Sequence, residues 1–369
     1  MYEPQEDSFL LQDFVKKRAN GTVLDMGTGT GIQALTAARV SRVKKVIAVD
    51  VDSHAISFAK NNNKHCKIKY LESDLFSRIG NKKFDTIIFN PPYLPKEGKT
   101  QHLELEGGKE GHEVIARFLA DARKHLAPKG NILLVCSSLT PHLQEMFENN
   151  LFTARELGKK HVFFENILVY SLAADPRVIE LEGKKVRGLT YFAHGKRGVI
   201  FTGTYRGKKV AVKMVRQKSQ SPGTIALEAC ALIEVNRNNI GPHYLLHTKH
   251  ALVYEFVRGK HLEDVMNSPN IKHLCKKVFE QCRKLDLLHI NKQEMTRPLK
   301  HVLVNRNKVT LIDFERARKT EKPHNVTQFC QFVGNHVMRE QKKDWILLAQ
   351  EYARLRNQKV FKKILRTLS

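Results

Sequence analysis

The sequence predicts an α/β domain built on a mostly parallel sheet, followed by a small, strongly basic α+β domain of two lobes. Three observations carry this. A glycine-rich turn, Asp25-Met26-Gly27-Thr28-Gly29-Thr30-Gly31, separates an apolar strand from a helix; a second apolar strand runs into Asn90-Pro91-Pro92-Tyr93; and the charge balance changes near residue 174. At 369 residues the chain is comfortable for two domains.

Thr22 to Leu24 is the apolar segment that enters the glycine run, and Ile32 to Val40 reads as a helix. Gly27, Gly29 and Gly31, at alternate positions, let a ligand approach the backbone closely, and the free N–H groups of the helix start suit an anionic group. Lys45 to Val49 is a second strand ending in Asp50, where a carboxylate suits both hydroxyls of a ribose. Asp74 follows the short strand Ile68 to Leu71, in position to meet an adenine amine. Thr86 to Phe89 is apolar and leads into Asn90, which places that segment at a carboxyl edge of the sheet.

The residue types point to methyl transfer onto a planar nitrogen. An amide or exocyclic amine has its lone pair delocalised, so it must be polarised in place. The side-chain oxygen of Asn90 and the backbone carbonyl of Pro91 suit the two N–H groups, and the paired prolines hold that carbonyl rigidly. Pro92 stiffens the turn, and Tyr93 offers a flat face for a planar amide or base.

Residues 1 to about 173 resemble the HemK-like class I methyltransferases, most closely the archaeal and eukaryotic branch that methylates the glutamine of the GGQ motif in class 1 release factors. The resemblance rests on Tyr2-Glu3-Pro4-Gln5-Glu6-Asp7-Ser8-Phe9-Leu10-Leu11, the glycine loop, Asn90 to Tyr93, and Gly107-Gly108-Lys109-Glu110-Gly111 before a helix starting near Glu113. It implies a Rossmann-like class I methyltransferase domain with a seven-stranded, mostly parallel sheet and S-adenosylmethionine as cofactor. By the same resemblance Ser8, Asp25, Gly27, Asp50, Asp74 and Asn90 line the cofactor site. Ser8 stands where the branch often carries threonine, which keeps the hydroxyl. Members commonly rely on a small zinc-binding activator protein that covers an apolar strand edge.

Net charge is +26, unevenly distributed. Residues 1 to 173 hold 24 basic and 20 acidic side chains, a net of +4, whereas residues 174 to 369 hold 39 and 17, a net of +22. The second part is therefore the expected partner of a polyanion such as ribosomal or other RNA, through Lys272 to Lys277, Arg316 to Lys322 and Arg354 to Arg366. A well-solvated lysine-rich surface is the alternative. Six scattered cysteines without a C-x-x-C pair indicate neither a zinc knuckle nor a disulfide framework, and they read as reduced, mostly buried thiols. His112, His125 and His142 read as solvated surface without ligand spacing. No apolar run reaches the length of a membrane span and no signal pattern opens the chain, so a cytoplasmic enzyme is expected.

Asn166 to Ser171 reads as the strand completing the first sheet, Ala173-Ala174-Asp175-Pro176 as the boundary, 174–185 as a linker and 186–369 as the second domain. Gly195 to Tyr205, followed by Arg206 to Lys213, suggests two alternating strands and a glycine-containing loop over phosphates, with Lys213 projecting toward them. Glu228, on a helix from Thr224 to Asn236, suits an ion pair with Lys213, and Glu234 is the other candidate. Leu252 to Gly259 reads as a buried strand entering a connector, and Asp313, after Val309 to Ile312, suits a magnesium ion bridging phosphates.

Residues 186 to about 340 resemble the protein-kinase-like fold in the minimal form of the RIO-type atypical kinases, which implies ATP with Mg2+ as ligand. The resemblance departs at the catalytic loop. The family asparagine falls at His301, and its catalytic aspartate falls at Thr296 without a gap or at Glu294 if the loop carries two extra residues. Glu315 replaces the glycine after Asp313-Phe314. The leading expectation is glutamine methylation of a class 1 release factor, with a kinase-like ATP-binding domain attached. The alternatives are adenine methylation on RNA or DNA, and a protein kinase as the main activity.

Overall fold

A computed structural model of the chain describes residues 3–93, 111–195, 198–216 and 224–368. Tyr2, Gly107 to Glu110, Lys196 and Arg197, on which parts of the sequence reading rest, lie outside them. Two compact units divide between Ile179 and Glu180.

The first unit runs α1 (Glu6–Arg18), β1 (Gly21–Met26), α2 (Ile32–Arg39), β2 (Val43–Asp50), α3 (Ser53–Asn62), β3 (Ile68–Glu72), β4 (Phe84–Phe89), α4 (Glu113–His125), β5 (Leu126–Ser137), α5 (Leu143–Asn149), β6 (Phe152–Val162), β7 (Glu165–Ala174) and the start of α6 (Pro176–Gly183). Its seven strands lie in the order β3-β2-β1-β4-β5-β7-β6. β3, β2, β1, β4 and β5 are parallel, and β7 runs antiparallel to both β5 and β6.

The near-continuous apolar strands follow from burial on both faces. Side chains alternate across the pleat, so Leu24, Ile87 and Phe89 join α4 and α5 through Phe118, Leu119 and Phe147, while Val23, Ile88 and Leu133 join α1 and α2 through Leu11, Val15 and Ala37. Strand order reverses between β1 and β4, and their register pairs Met26 with Phe89. The glycine loop and the Asn90 segment therefore leave the sheet level with each other, at the crevice where open α/β sheets bind ligands.

The second unit contains β8 (Val186–His194), β9 (Gly198–Tyr205), β10 (Lys208–Val215), α7 (Thr224–Asn236), β11 (Tyr244–His247), β12 (Ala251–Glu255), β13 (Lys260–His261), α8 (Ile271–Leu287), β14 (Ile290–Asn291), β15 (Val302–Asn305), β16 (Lys308–Leu311), β17 (Arg318–Lys319), α9 (Asn325–His336), α10 (Lys342–Leu355) and α11 (Gln358–Thr367). A five-stranded sheet, β11-β12-β10-β9-β8, is antiparallel throughout. Arg206 and Gly207 close the β9–β10 hairpin with both residues at positive φ, 50° and 76°, the conformation of a two-residue type I′ turn. α8 to α11 enclose a core around Phe279, Phe329 and Trp345, in which Phe279 and Trp345 stack at 5.8 Å. Two short sheets, β13-β15-β16 and β14-β17, carry the polar loops.

All six cysteines are free thiols, four of them buried, while Cys66 and Cys230 are exposed. His125 departs from the solvated reading: it is 9% exposed, stacks on Phe76 at 4.4 Å and engages the Lys82 carbonyl, because the last turn of α4 closes over the sheet. Among the described residues, no helix is long and apolar enough to cross a membrane.

Candidate functional site

The loop after β1 is built for close approach. Gly27, Gly29 and Gly31 have φ of 61°, 51° and 83°, and at Gly29 a Cβ would meet only open space. Asp50, at the end of β2, ties this loop down: its carboxylate accepts from Gly29 N at 2.9 Å and from Asp52 N at 3.0 Å. Each oxygen keeps a further lone pair, the feature a ribose hydroxyl needs.

Asp25 lies beneath the loop, 2% exposed, and accepts the Thr28 hydroxyl at 2.6 Å. Burial pushes its pKa up to about 7 despite hydrogen bonds from Thr28 and the Ala34 backbone, which favour the anion. The folded carboxyl thus keeps its proton to about pH 7, whereas an ordinary aspartate gives it up near 3.8. Between those values the folded chain binds more protons, so the stability this group contributes at low pH is lost as pH rises through the window. Asp25→Asn is expected to flatten that decline, by about 4 kcal/mol at most, in calorimetric unfolding profiles across the window.

Asp74 is an exposed residue paired with Arg117 at 2.7 Å, so a nucleobase amine would have to share it with that guanidinium. Across the crevice, Asn90 donates its Nδ2 to Asp7 Oδ2 at 2.9 Å and to the Ser8 hydroxyl at 3.4 Å. Asn90 Oδ1 is buried and has no hydrogen-bond partner among the described residues. Pro91 is buried beside it, while Pro92 and Tyr93 are half-buried; Tyr93 packs on the core and its hydroxyl lies 3.5 Å from Asp7 Oδ2. Asp7, 4% exposed, carries a role that the sequence reading did not assign. Its place in the Glu6-Asp7-Ser8 run was visible in the sequence, but its contact with Asn90 spans 83 positions. Gln33 was also missed. It is 4% exposed and holds α1 down through a 2.7 Å bond to the Ser8 carbonyl.

In the second unit, Lys213 on β10 reaches Glu228 on α7 at 2.7 Å, Asp313 at 3.0 Å and Glu315 at 3.2 Å. Glu234 pairs instead with Lys319 at 2.9 Å. Burial works against the Lys213 ammonium, but the surrounding carboxylates outweigh it and hold the amine protonated well above the usual lysine range. Asp313 has φ of 62°, in the left-handed region that non-glycine residues enter uncommonly and aspartate more readily than most. Burial opposes the Asp313 anion too, yet Lys213 and Lys292 bring its pKa below the ordinary carboxylate value.

Lys292 is fully buried; its Nζ donates to the Asp313 carbonyl at 2.7 Å and lies 3.4 Å from Glu294 Oε2. Its own N–H bonds Asn325, which is in turn held by buried Asp286. This support was not legible, because nothing in the residue pattern marks Lys292 as buried. Glu294 is pushed above the usual carboxylate value by burial. His301 lies 3.6 Å from Asp313, and burial, helped by the Lys292 charge, lowers its pKa to about 4, which leaves the ring neutral at pH 7.

The reversal between β1 and β4 and the paired loops above it define a domain of the class I methyltransferase type. Residues 5–164 match the family model described as Methyltransferase small domain. A Methanocaldococcus jannaschii protein with the provisional name protein N5-glutamine methyltransferase is 38% identical over 147 residues, covering 38% of this chain and 74% of that protein. The release factor glutamine methyltransferases of Shewanella oneidensis and Streptococcus pneumoniae are 32% and 31% identical, over 38% and 41% of this chain. The matches span 55% and 58% of those two proteins, a little over half their length. Among solved structures, the E. cuniculi Mtq2–Trm112 complex, described as responsible for methylation of the eRF1 translation termination factor, is 26% identical with a TM-score of 0.39, over 47% of this chain and 98% of that one. The chain belongs to the methyltransferase small domain family.

Proposed function

We propose that the first unit transfers a methyl group from S-adenosylmethionine to the side-chain amide of the glutamine in the GGQ motif of a class 1 translation release factor. The observation that carries this is the buried Oδ1 of Asn90, without a hydrogen-bond partner among the described residues, beside the Pro91 segment at the mouth of the crevice. The names of the sequence relatives support the glutamine.

The residues fit the cofactor: Gly29 leaves open space against the backbone, and Asp50 offers acceptor lone pairs for hydroxyls. Bound there, it supplies an electrophilic methyl group. Asn90 Oδ1 and the Pro91 carbonyl accept the two N–H bonds of the amide, which directs the nitrogen lone pair out of the plane. Tyr93 supports the planar group, and the remaining barrier is chiefly alignment. Purified chain incubated with labelled cofactor should label a release factor on glutamine; label on RNA or DNA instead would establish the adenine reading. A small zinc-binding activator remains part of the proposal, supported by the outer position of β3 in the sheet, which leaves a strand edge to cover.

The second unit reads as a protein-kinase-like module that binds ATP with Mg2+. Lys213 and Glu228 supply the phosphate-side ion pair, Asp313 the metal ligand and Glu294 the group that would orient a hydroxyl. An all-oxygen set suits Mg2+, and ligand atoms of Glu228, Asp313 and Glu315 lie within 4.8 Å of one another. Its excess of basic side chains supports docking to ribosomal or other RNA, in a cytoplasmic setting near translation. Asp313→Ala should weaken ATP binding, and Glu294→Ala should abolish phosphate transfer without weakening it. If neither change alters phosphate transfer but Asp313→Ala weakens ATP binding, the unit is a binding module rather than a kinase.

A further inference from the structure

We infer that Asp7 is a positioning residue of the methyl-transfer site: its carboxylate fixes which end of the Asn90 amide faces the acceptor, and so restricts the site to nitrogens that bring N–H groups. The acceptor side rests on the glutamine reading above; the orientation rests on the contact between Asp7 and Asn90.

The oxygen and NH2 ends of an asparagine side chain have nearly the same shape, so its neighbours decide which end points where. Among the described residues, two groups accept from the Nδ2 end, and a third bears on one of them. Ser8, at 3.4 Å, can donate or accept and therefore selects neither orientation. The Tyr93 hydroxyl is directed at Asp7, 3.5 Å away. Asp7 can only accept while ionised, and its Oδ2 is 2.9 Å from Asn90 Nδ2. The rotated amide would set two acceptor oxygens against each other in a buried place and aim N–H donors at the substrate. Such a site would repel an –NH2 group and favour a carbonyl, with no route to polarise a nitrogen.

Asp7 is itself oriented. Its Oδ1 accepts the Ser8 backbone N–H at 2.5 Å. In Asp7→Asn the single carbonyl oxygen of the new side chain is claimed by that N–H, which leaves its NH2 pointing at Asn90. Asn90 then lowers its energy by rotating, with Oδ1 toward position 7 and donors toward the acceptor. Asp7→Ala removes the constraint without imposing the wrong answer. The nearly isosteric Asp7→Asn should therefore be at least as damaging as Asp7→Ala, an order that a purely packing role would reverse.

The test uses the full chain with a folded release factor carrying Gly-Gly-Gln and labelled S-adenosylmethionine. Asp7→Asn should lower kcat by about 100-fold, the scale of one misdirected transition-state hydrogen bond, with a much smaller change in the dissociation constant for the cofactor. A second readout needs no acceptor: the side-chain amide NMR signals of Asn90, assigned by their loss in Asn90→Ala, should move in Asp7→Asn and approach free-amide positions in Asp7→Ala. Unmoved signals, or a kcat for Asp7→Asn within about threefold of the unaltered chain, would overturn the inference. If the unaltered chain labels nothing on the release factor, the acceptor reading fails, while the NMR result still decides the role of Asp7.

Discussion

Replacing Asn90 with alanine is expected to lower the methyl-transfer rate constant by about 100- to 1,000-fold, with a much smaller loss of cofactor affinity. The argument is local. Asn90 Oδ1 is a buried acceptor without a partner among the described residues, a state that costs energy in the resting protein and is relieved when an N–H arrives. Its stabilisation is greatest when the nitrogen gains positive character, as the new carbon–nitrogen bond forms, so the loss appears in the chemical step rather than in uniform binding. Cofactor affinity is expected to change less, because the glycine loop and Asp50 keep their own hydrogen bonds, although Asn90 and its partner Ser8 border the same site. Single-turnover transfer measured beside equilibrium cofactor binding separates the two. Equal losses in both would mean that Asn90 holds the pocket together rather than polarising the nitrogen. A variant that keeps the single-turnover rate but raises KM would assign it to substrate docking alone.

Much of this site was legible because its signals are local. A glycine run between an apolar strand and a helix fixes a turn, and apolar strands ending in Asp50 and Asn90 fix an edge. The parallel pairing of β1 with β2 and β4 then brings those ends together without further information. The missing parts are contacts of long sequence separation. Asp7 meets Asn90 across the fold, and Lys292 becomes a buried cation because Asn325 and Asp313 close over it. Periodicity describes which face of an element is buried; it is silent about a lysine in a short irregular loop. Asp74 has a surrounding that local pattern does not show. Its strand-end position was correctly read, but Arg117, on a helix 43 residues on, claims its carboxylate. A charge on α4 that no local rule connects to β3 decides what Asp74 offers a ligand.

Lys213→Met should destabilise the second unit by about 3 kcal/mol, toward the lower end of the range for breaking a buried ion pair because Asp313 is 39% exposed. The variant leaves Glu228, Asp313 and Glu315 facing one another with their shared cation gone. Glu228, 5% exposed in its side chain and already raised by burial, then retains its proton to still higher pH. A carboxyl whose folded pKa lies above its unfolded value contributes stability at low pH that is lost as pH rises, so the gap between variant and parent should widen from acid toward neutral pH. The chain has one tryptophan, Trp345, buried in the second unit, so its fluorescence during denaturation reports on that unit without interference from the first. Adding Glu228→Gln should recover part of the loss, because the amide oxygen can still accept the Phe314 N–H that Glu228 Oε1 receives at 3.3 Å, with one unpaired charge removed. If the single variant unfolds at the same midpoint as the parent at neutral pH, the lysine is held by its carboxylates without stabilising them, and its conservation of geometry must serve a ligand instead.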